Sequence, residues 1–325
     1  MFDYLLEKIR LAPITPEPYP HIYLEGLFTE EHFQQIVGAR EIALAGFDSD
    51  KTLFDELFAQ GYKIINFPGC ITDQAVYLNW HKDKSRQQNY NNSTCEGFGI
   101  TLRLMQPKTP ILVELAAFMN SPVLHQALAD RFSIALDSVT SDSGIQKYLD
   151  GYEISPHPDI RQKALTYMVN VNPGVGSEAR EHHTQYLKFR EEYRYVQAYW
   201  NGNRDKNRCW VPWEWCETVM TQPKNNSIVI FSPSDASMHG VRARYDHLLG
   251  QRTQLYGNLW YRDLKVEAGP EWEDFKIEKK DRTPRPSPWA RVKSAVPNRL
   301  RRLLKASPAA AAQGNVIANR KQKPY

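Results

Sequence analysis

The sequence predicts a mainly β domain flanked by helices (α+β), and three observations carry that reading. Runs rich in β-branched and aromatic residues recur at 163–173, 226–231 and 251–261, the composition that pleated strands favour. Helical spacing is confined to a few stretches, above all 110–132. Hydrophobic residues make up 42% and aromatics 12% of the 325 residues, enough for a substantial core over most of the length.

In chain order, residues 1–14 read as a short amphipathic helix with Leu5, Leu6, Ile9 and Leu11 on its apolar face, ended by Pro13, Pro16, Pro18 and Pro20. His21-Ile22-Tyr23-Leu24 reads as a strand. Thr29 is placed to cap a helix whose buried positions are Phe33, Ile36 and Val37. His21 and His32 have no partner at ligand spacing and are expected at the surface. Segments 62–67 and 99–104 read as strands, and the polar stretch 79–92 between them as a loop. Read from the residues alone, that loop, with Trp80, His81 and Tyr90 in it, is a solvated stretch without a role. His81-x-Asp83 is rejected as a metal pair, because no strand is predicted there to fix two ligands. Over 110–132, Ile111, Leu112, Leu115 and Phe118 give one helix, and Ser121-Pro122 opens a second carrying Leu124, Leu128 and Phe132. Segment 145–154 reads as a strand, followed by 163–173, a turn-rich stretch 174–180, and the strands at 226–231 and 251–261.

Chemistry concentrates at Pro156-His157-Pro158-Asp159. Two residues apart on a strand, His157 and Asp159 share a face. An imidazole and a carboxylate on one wall supply two thirds of the two-histidine, one-carboxylate set that holds iron(II) in oxygen-activating enzymes. The third ligand has to come from another strand. His239 follows the 226–231 strand and the turn at 232–235, and Arg252 lies thirteen residues beyond it at the start of the 251–261 strand. His247 is an alternative ligand in the intervening turn. His182 and His183 are adjacent, so a strand would send them to opposite faces, which argues against a shared ion.

His157-x-Asp159, the distant His239 and the following Arg252 resemble the iron(II)- and 2-oxoglutarate-dependent oxygenases, particularly their prolyl 4-hydroxylase-like branch. The entry segment Pro18-Tyr19-Pro20-His21-Ile22-Tyr23-Leu24 resembles the start of such domains. The resemblance implies a double-stranded β-helix (jelly roll) over about residues 18–264. It implies iron(II) on His157, Asp159 and His239, and Arg252 paired with the far carboxylate of 2-oxoglutarate, a task suited to a planar guanidinium. Arg242 and Arg244 are rivals for that role, because the spacing from His239 to Arg252 is long. Tyr167 and Gln254 are implied as further 2-oxoglutarate contacts. The activity implied is hydroxylation of an unactivated C–H with release of succinate and carbon dioxide, molecular oxygen as the second co-substrate, and ascorbate as a reductant. The substrate class stays open among peptidyl or free amino acids, small metabolites and glycans. The Gly-Gly pair common in the family after the second metal-site strand is missing, and Glu181-His182-His183-Thr184 stands near its place.

Cys209-Trp210-Val211-Pro212-Trp213-Glu214-Trp215-Cys216 lacks the spacing of a zinc knuckle. It is either an aromatic wall for a ligand or, preferably, buried packing. Four scattered cysteines and the lack of a signal-peptide layout in the first residues suggest a reducing cytoplasm. The formal charge of +4 divides unevenly: residues 276–325 hold fourteen Lys and Arg against two acids, and residues 1–275 hold 27 against 35. Residues 1–17 therefore read as an N-terminal helix and linker, and 265–325 as a basic, proline-containing, partly disordered tail. The tail suits an anionic membrane surface or an acidic partner. No apolar run approaches the ~20 residues of a membrane-spanning helix. A different class of protein, a silent jelly-roll module that binds a glycan or peptide, is disfavoured by the complete ligand set.

Overall fold

The computed structural model describes residues 1–67, 69–83 and 99–263, with the backbone of Phe275 and Lys276. Its helices are α1 (Tyr4–Leu11), α2 (Glu30–Val37), α3 (Asp50–Ala59), α4 (Gln74–Lys82), α5 (Pro110–Met119), α6 (Pro122–Arg131) and α7 (Arg194–Gly202). Its strands are β1 (His21–Glu25), β2 (Tyr62–Ile64), β3 (Thr101–Leu104), β4 (Val139–Tyr148), β5 (Glu153–His157), β6 (Lys163–Asn170), β7 (Thr184–Phe189), β8 (Cys209–Trp210), β9 (Cys216–Thr221), β10 (Ser227–Phe231), β11 (His239–Arg242), β12 (Arg252–Tyr261) and β13 (Phe275–Lys276).

Two antiparallel sheets make the body. The larger runs β1-β10-β6-β12-β4-β3-β2 and the smaller β5-β11-β7-β9. The chain crosses between them repeatedly, as a double-stranded β-helix requires. The segment expected as one strand over 145–154 is divided: β4 ends at Tyr148 in the larger sheet and β5 begins at Glu153 in the smaller. Gly151, at φ +80°, sits in that turn under the Trp80 ring, where a Cβ would lie 2.2 Å from the indole.

β12 shows why the larger sheet has two different faces. Leu255 and Leu259 turn to the helices and join Leu165, Val169, Ile228 and Ile230 in the main core. Arg252, Gln254, Tyr256, Asn258 and Trp260 turn the other way and line a cavity. Alternation at period two does this without further instruction.

The helical layer closes the first face. Leu5, Leu6 and Ile9 of α1, Ile111, Leu112 and Leu115 of α5, and Leu124 and Leu128 of α6 are all buried there. Each such side chain contributes roughly 1.5–3 kcal/mol on leaving water. Leu11, expected on the same apolar face, is instead 75% exposed. Thr29 caps α2 by accepting from the His32 N–H, and Ser121 caps α6 by accepting from the Leu124 N–H. Among the described residues no single helix is long and apolar enough to cross a membrane.

A second apolar cluster backs the smaller sheet. Leu187, Phe189, Val196, Trp200, Cys209, Val211 and Cys216 fill it, with Trp213 and Trp215 at its margin. The Trp/Cys-rich segment is thus largely packing: Tyr193 stacks on Trp215 with ring centroids 4.5 Å apart, and Trp213 covers Gly240. His21, expected at the surface, is buried, with Nδ1 2.8 Å from the Tyr19 carbonyl. The basic tail proposed for a membrane or an acidic partner lies outside the described residues, as does Tyr90.

Candidate metal centre and anion pocket

β5 and β11 are paired so that His157 stands opposite His239. Their rings face each other with centroids 4.4 Å apart. Each ring is oriented by its own backbone: His157 Nδ1 lies 2.9 Å from the Ser155 carbonyl, and His239 Nδ1 lies 2.9 Å from the Ser237 carbonyl. A carbonyl can only accept, so both Nδ1 atoms carry the proton and both Nε2 atoms keep a free lone pair. Those lone pairs converge on Asp159, whose Oδ1 is 3.6 Å from His157 Nε2 and whose Oδ2 is 3.8 Å from His239 Nε2. Ligand atoms of the three residues lie within 4.8 Å of one another.

The expectation that one strand presents both His157 and Asp159 needs correction. β5 ends at His157, and Asp159 has a left-handed backbone at φ +71°. A turn, not strand alternation, swings the carboxylate back beneath the imidazoles. Such a conformation is uncommon outside glycine and clusters at functional sites. Two neighbours hold it: Lys163 Nζ donates to Oδ1 at 2.6 Å, and Thr166 Oγ1 donates to Oδ2 at 2.9 Å. Burial alone would raise the carboxyl's pKa, but the Lys163 charge beside it outweighs burial and keeps Asp159 ionised, well below the usual carboxylate range. Burial and the neighbouring His157 push His239 down to about 3, so its imidazole stays neutral and able to donate its lone pair. Two imidazoles and an ionised carboxylate are the donor set that a borderline divalent cation takes.

The same cavity, about 370 Å³ in volume, runs from this cluster to Arg252. The Arg252 guanidinium is 2% exposed. Its Nη2 donates to Thr184 Oγ1 at 2.9 Å, and its plane lies 4.6 Å from the Tyr148 ring centroid. Among the described residues no carboxylate pairs with it. A buried guanidinium without a counter-ion costs several kcal/mol, a cost that an anion in the cavity would offset. Gln254 shares the cavity face, as expected, and donates to Asn170 Oδ1 at 2.8 Å. The rival arginines are accounted for elsewhere: Arg242 pairs with Glu153 at 2.9 Å and lies over Trp213, and Arg244 is exposed.

Tyr167 is not in this cavity. On β6 it is Thr166 and Met168 that face it. Tyr167 belongs to the opposite face and packs in the helix-side core, its ring filling the space over Gly257, where a Cβ would fall 2.2 Å from the ring. It is therefore a core aromatic and no candidate for holding 2-oxoglutarate. Tyr148, Lys163 and Thr184 are the cavity residues that sequence reasoning missed. Lys163 lies four residues after Asp159, a spacing that could have suggested it. Tyr148 meets Arg252 only through cross-strand register.

A second cluster of metal-ligand types joins Asp50, His81 and His247. The Asp150 backbone N–H donates to His247 Nδ1 at 2.9 Å, so the proton of that ring sits on Nε2 and is donated to Asp50 Oδ1 at 2.6 Å. His247 therefore has no free lone pair for a metal, the reverse of His157 and His239. His81 lies on α4 rather than in a loop, with Nδ1 and Nε2 each 2.9 Å from a carboxylate, Asp50 and Asp150. This cluster is a charged hydrogen-bond network. His182 is fully buried, and burial, with His183 next in effect, pushes it down to about 2.

No protein-family profile matches the chain, and no curated protein sequence matches it. Solved structures do resemble it. A prolyl-4-hydroxylase from Pseudomonas putida is 12% identical, covers 65% of this chain and 98% of its own, and has a TM-score of 0.32. A prolyl hydroxylase from Trichoplax adhaerens, in complex with a hypoxia inducible factor oxygen degradation domain peptide fragment, is 9% identical over 73% and 95%, with a TM-score of 0.30. HygX from Streptomyces hygroscopicus, with nickel and 2-oxoglutarate bound, is 10% identical over 71% and 96%, with a TM-score of 0.29.

Proposed function

We propose that the chain is an iron(II)- and 2-oxoglutarate-dependent dioxygenase that hydroxylates an unactivated C–H of its substrate. One observation carries this reading: a buried arginine without a counter-ion shares a cavity with two histidines and a carboxylate whose free lone pairs converge. A metal-dependent hydrolase has no use for such an arginine.

His157 Nε2, Asp159 and His239 Nε2 are the ligands for iron. Arg252, with Thr184 beside it, takes the distal carboxylate of 2-oxoglutarate through charge-assisted hydrogen bonds. When bound, iron would supply the oxidative chemistry with 2-oxoglutarate and molecular oxygen as co-substrates, one oxygen atom going to the substrate hydroxyl and the other to succinate as carbon dioxide leaves. The protein orients that chemistry. Ser155 and Ser237 carbonyls fix the imidazole rotamers, Lys163 and Thr166 fix Asp159, and Thr184 and the Tyr148 ring flank the guanidinium. Aromatic and aliphatic walls, Tyr152, Ile154 and Met168 among them, exclude water from the site.

The test is an anaerobic absorbance titration with iron(II) and then 2-oxoglutarate. A weak visible charge-transfer band is expected only when both are present, and is expected to be lost in Asp159→Ala and Arg252→Ala. Failure of the parent protein to bind iron(II) would reject the proposal and leave a silent binding module as the better reading.

A further inference from the structure

The cavity has another charged end that neither the metal ligands nor the arginine pocket uses. β3 pairs with β4 so that Arg103 stands opposite Gln146, and β4 pairs with β12 so that Asp142 stands opposite Asn258. Residues at every second position share a face, so Asp142, Gln146 and Tyr148 look into the cavity together. Arg103 lies flat across the gap left by Gly144, where a Cβ would come within 2.9 Å of Arg103 Cδ. In that pose Nη1 donates to Asp142 Oδ1 at 2.8 Å and Nη2 to Oδ2 at 3.1 Å. With its carbonyl turned to the guanidinium, Gln146 accepts from Nη2 at 2.7 Å and from Nε at 3.2 Å, while its amide nitrogen donates to the Tyr148 hydroxyl at 2.5 Å.

A partly buried ion pair adds little stability over apolar side chains of similar volume, so its place on a cavity wall asks for a use. Arg103 has four of its five N–H groups engaged by these contacts. Asp142 is different. Its side chain is 43% exposed and accepts only from Arg103 among the described residues, whereas a carboxylate has room for about four hydrogen bonds. The spare capacity at this end is therefore for a donor. Charge decides which donor. Arg103, Lys163 and Arg252 face Asp142 and Asp159 in the cavity, an excess of one positive charge, and iron(II) with doubly charged 2-oxoglutarate leaves that excess unchanged. A cationic group is repelled, and a neutral hydroxyl is favoured. Trp260, half-buried on the same wall, is a diagonal cross-strand neighbour of Asp142, about 7–8 Å away. Lys163, its cross-strand partner on β6, lies with Nζ 5.6 Å from the ring centroid, so the apolar plane beside the acceptor is the ring's β4 side. A sugar ring matches both, with hydroxyls at its rim and an apolar C–H face.

We infer that Asp142 and Trp260 form the substrate subsite for a neutral hydroxylated ring, a sugar or cyclic polyol, with Arg103 fixing the Asp142 carboxylate. This rests on the oxygenase reading and names its substrate class. Asp142 stands two strands from Thr166, which holds Asp159. Two strand spacings are about 10 Å, so one ring with a substituent spans from the subsite to the metal.

Saturation-transfer NMR on the full chain tests this, with and without nickel(II) and 2-oxoglutarate. The probes are methyl glucopyranoside and myo-inositol as neutral rings, glucosamine as a cation, and N-acetylprolinamide as an amide donor. Transfer to a neutral ring is expected, at least tenfold weaker in Asp142→Asn and in Trp260→Ala, with Arg103→Lys weakened in the same direction. Circular dichroism confirms that each variant is folded. The inference is overturned if no neutral ring binds up to about 50 mM, if only the amine or the amide binds, or if Asp142→Asn binds as the parent does. Binding in the metal-free protein separates this result from the absorbance titration, so either idea can fail alone.

Discussion

Arg252 and Tyr167 show how one residue's surroundings decide its role. The Arg252 guanidinium is buried with a hydroxyl and an aromatic face for company, an arrangement that destabilises the empty protein in return for anion affinity. Arg252→Met is therefore expected to raise the melting temperature of the ligand-free protein, by about 2–4 °C for a gain of roughly 1 kcal/mol, while weakening 2-oxoglutarate binding at least about 100-fold, the loss expected for a charge-assisted pair. Differential scanning fluorimetry and the absorbance titration measure the two effects. Equal or lower stability without ligand would show that Arg252 is satisfied by the protein alone. Tyr167 provides the contrast. Its hydroxyl is buried with no hydrogen-bond partner among the described residues, so Tyr167→Phe removes an unpaired polar atom from an apolar wall. Stability unchanged or raised by up to about 1 kcal/mol is expected, with 2-oxoglutarate affinity unaltered. A fall in that affinity would return Tyr167 to the site.

Between elements, the Asp50–His81–Asp150–His247 network ties α3 and α4 to the β4–β5 turn and to the loop before β12. The Asp150 carboxylate also accepts from the Tyr245 N–H, and the Tyr245 hydroxyl accepts from the Arg252 N–H, so the network reaches the anion pocket. Burial pulls the His81 pKa down, but the hydrogen bonds to Asp150 and Asp50 prevail and push it up to about 9. Burial raises Asp50, and the two histidines more than reverse it, leaving it well below the carboxylate range. The signs follow by linkage. His81 contributes stability that is complete below its unfolded pKa of about 6.5 and is lost as pH rises through about 9; Asp50 contributes stability present above about 3.9 and lost as pH falls through its depressed value. The difference in melting temperature between the parent and His81→Asn should thus be constant below about pH 6.5 and shrink toward pH 10, while buried neutral His182 and His239 make both curves fall together below about pH 6.5. Parallel curves for the two proteins would show that His81 carries no such charge. None of this was legible in the sequence, where 79–92 reads as a loop: the apolar residues of α4 fall mostly before 79, its end there is polar, and its partners come from distant segments.

At the scale of the whole molecule, legibility followed the contrast between faces. β12 alternates apolar and polar residues, so Arg252 and Gln254 could be put on one face from sequence alone. On β6 alternation groups Tyr167 with Leu165 and Val169, as the structure does, but the strand is buried on both faces from Ala164 to Asn170, so nothing in its sequence told the cavity face from the core face, and the resemblance assigned Tyr167 to the cavity. The metal ligands were legible as residue types, but the turn that delivers Asp159 was not. This division of labour between sheets has a thermodynamic consequence. His157 and His239 belong to the smaller sheet and Arg252 to the larger, so on the proposed reading a metal ion would engage mainly one sheet, whereas 2-oxoglutarate would bridge the two. The ligands should therefore stabilise cooperatively. Nickel(II) as a redox-silent substitute and 2-oxoglutarate, added together at about 100 times their dissociation constants, should give more than the sum of their separate shifts; one ligand at that excess contributes about 2.7 kcal/mol, or roughly 5–10 °C here. His239→Ala should remove the nickel shift and most of the 2-oxoglutarate shift with it. Arg252→Met should keep the nickel shift and remove only the increment from 2-oxoglutarate. Strictly additive shifts in the parent, or a 2-oxoglutarate shift that survives His239→Ala intact, would mean that the two ends of the cavity act as separate sites.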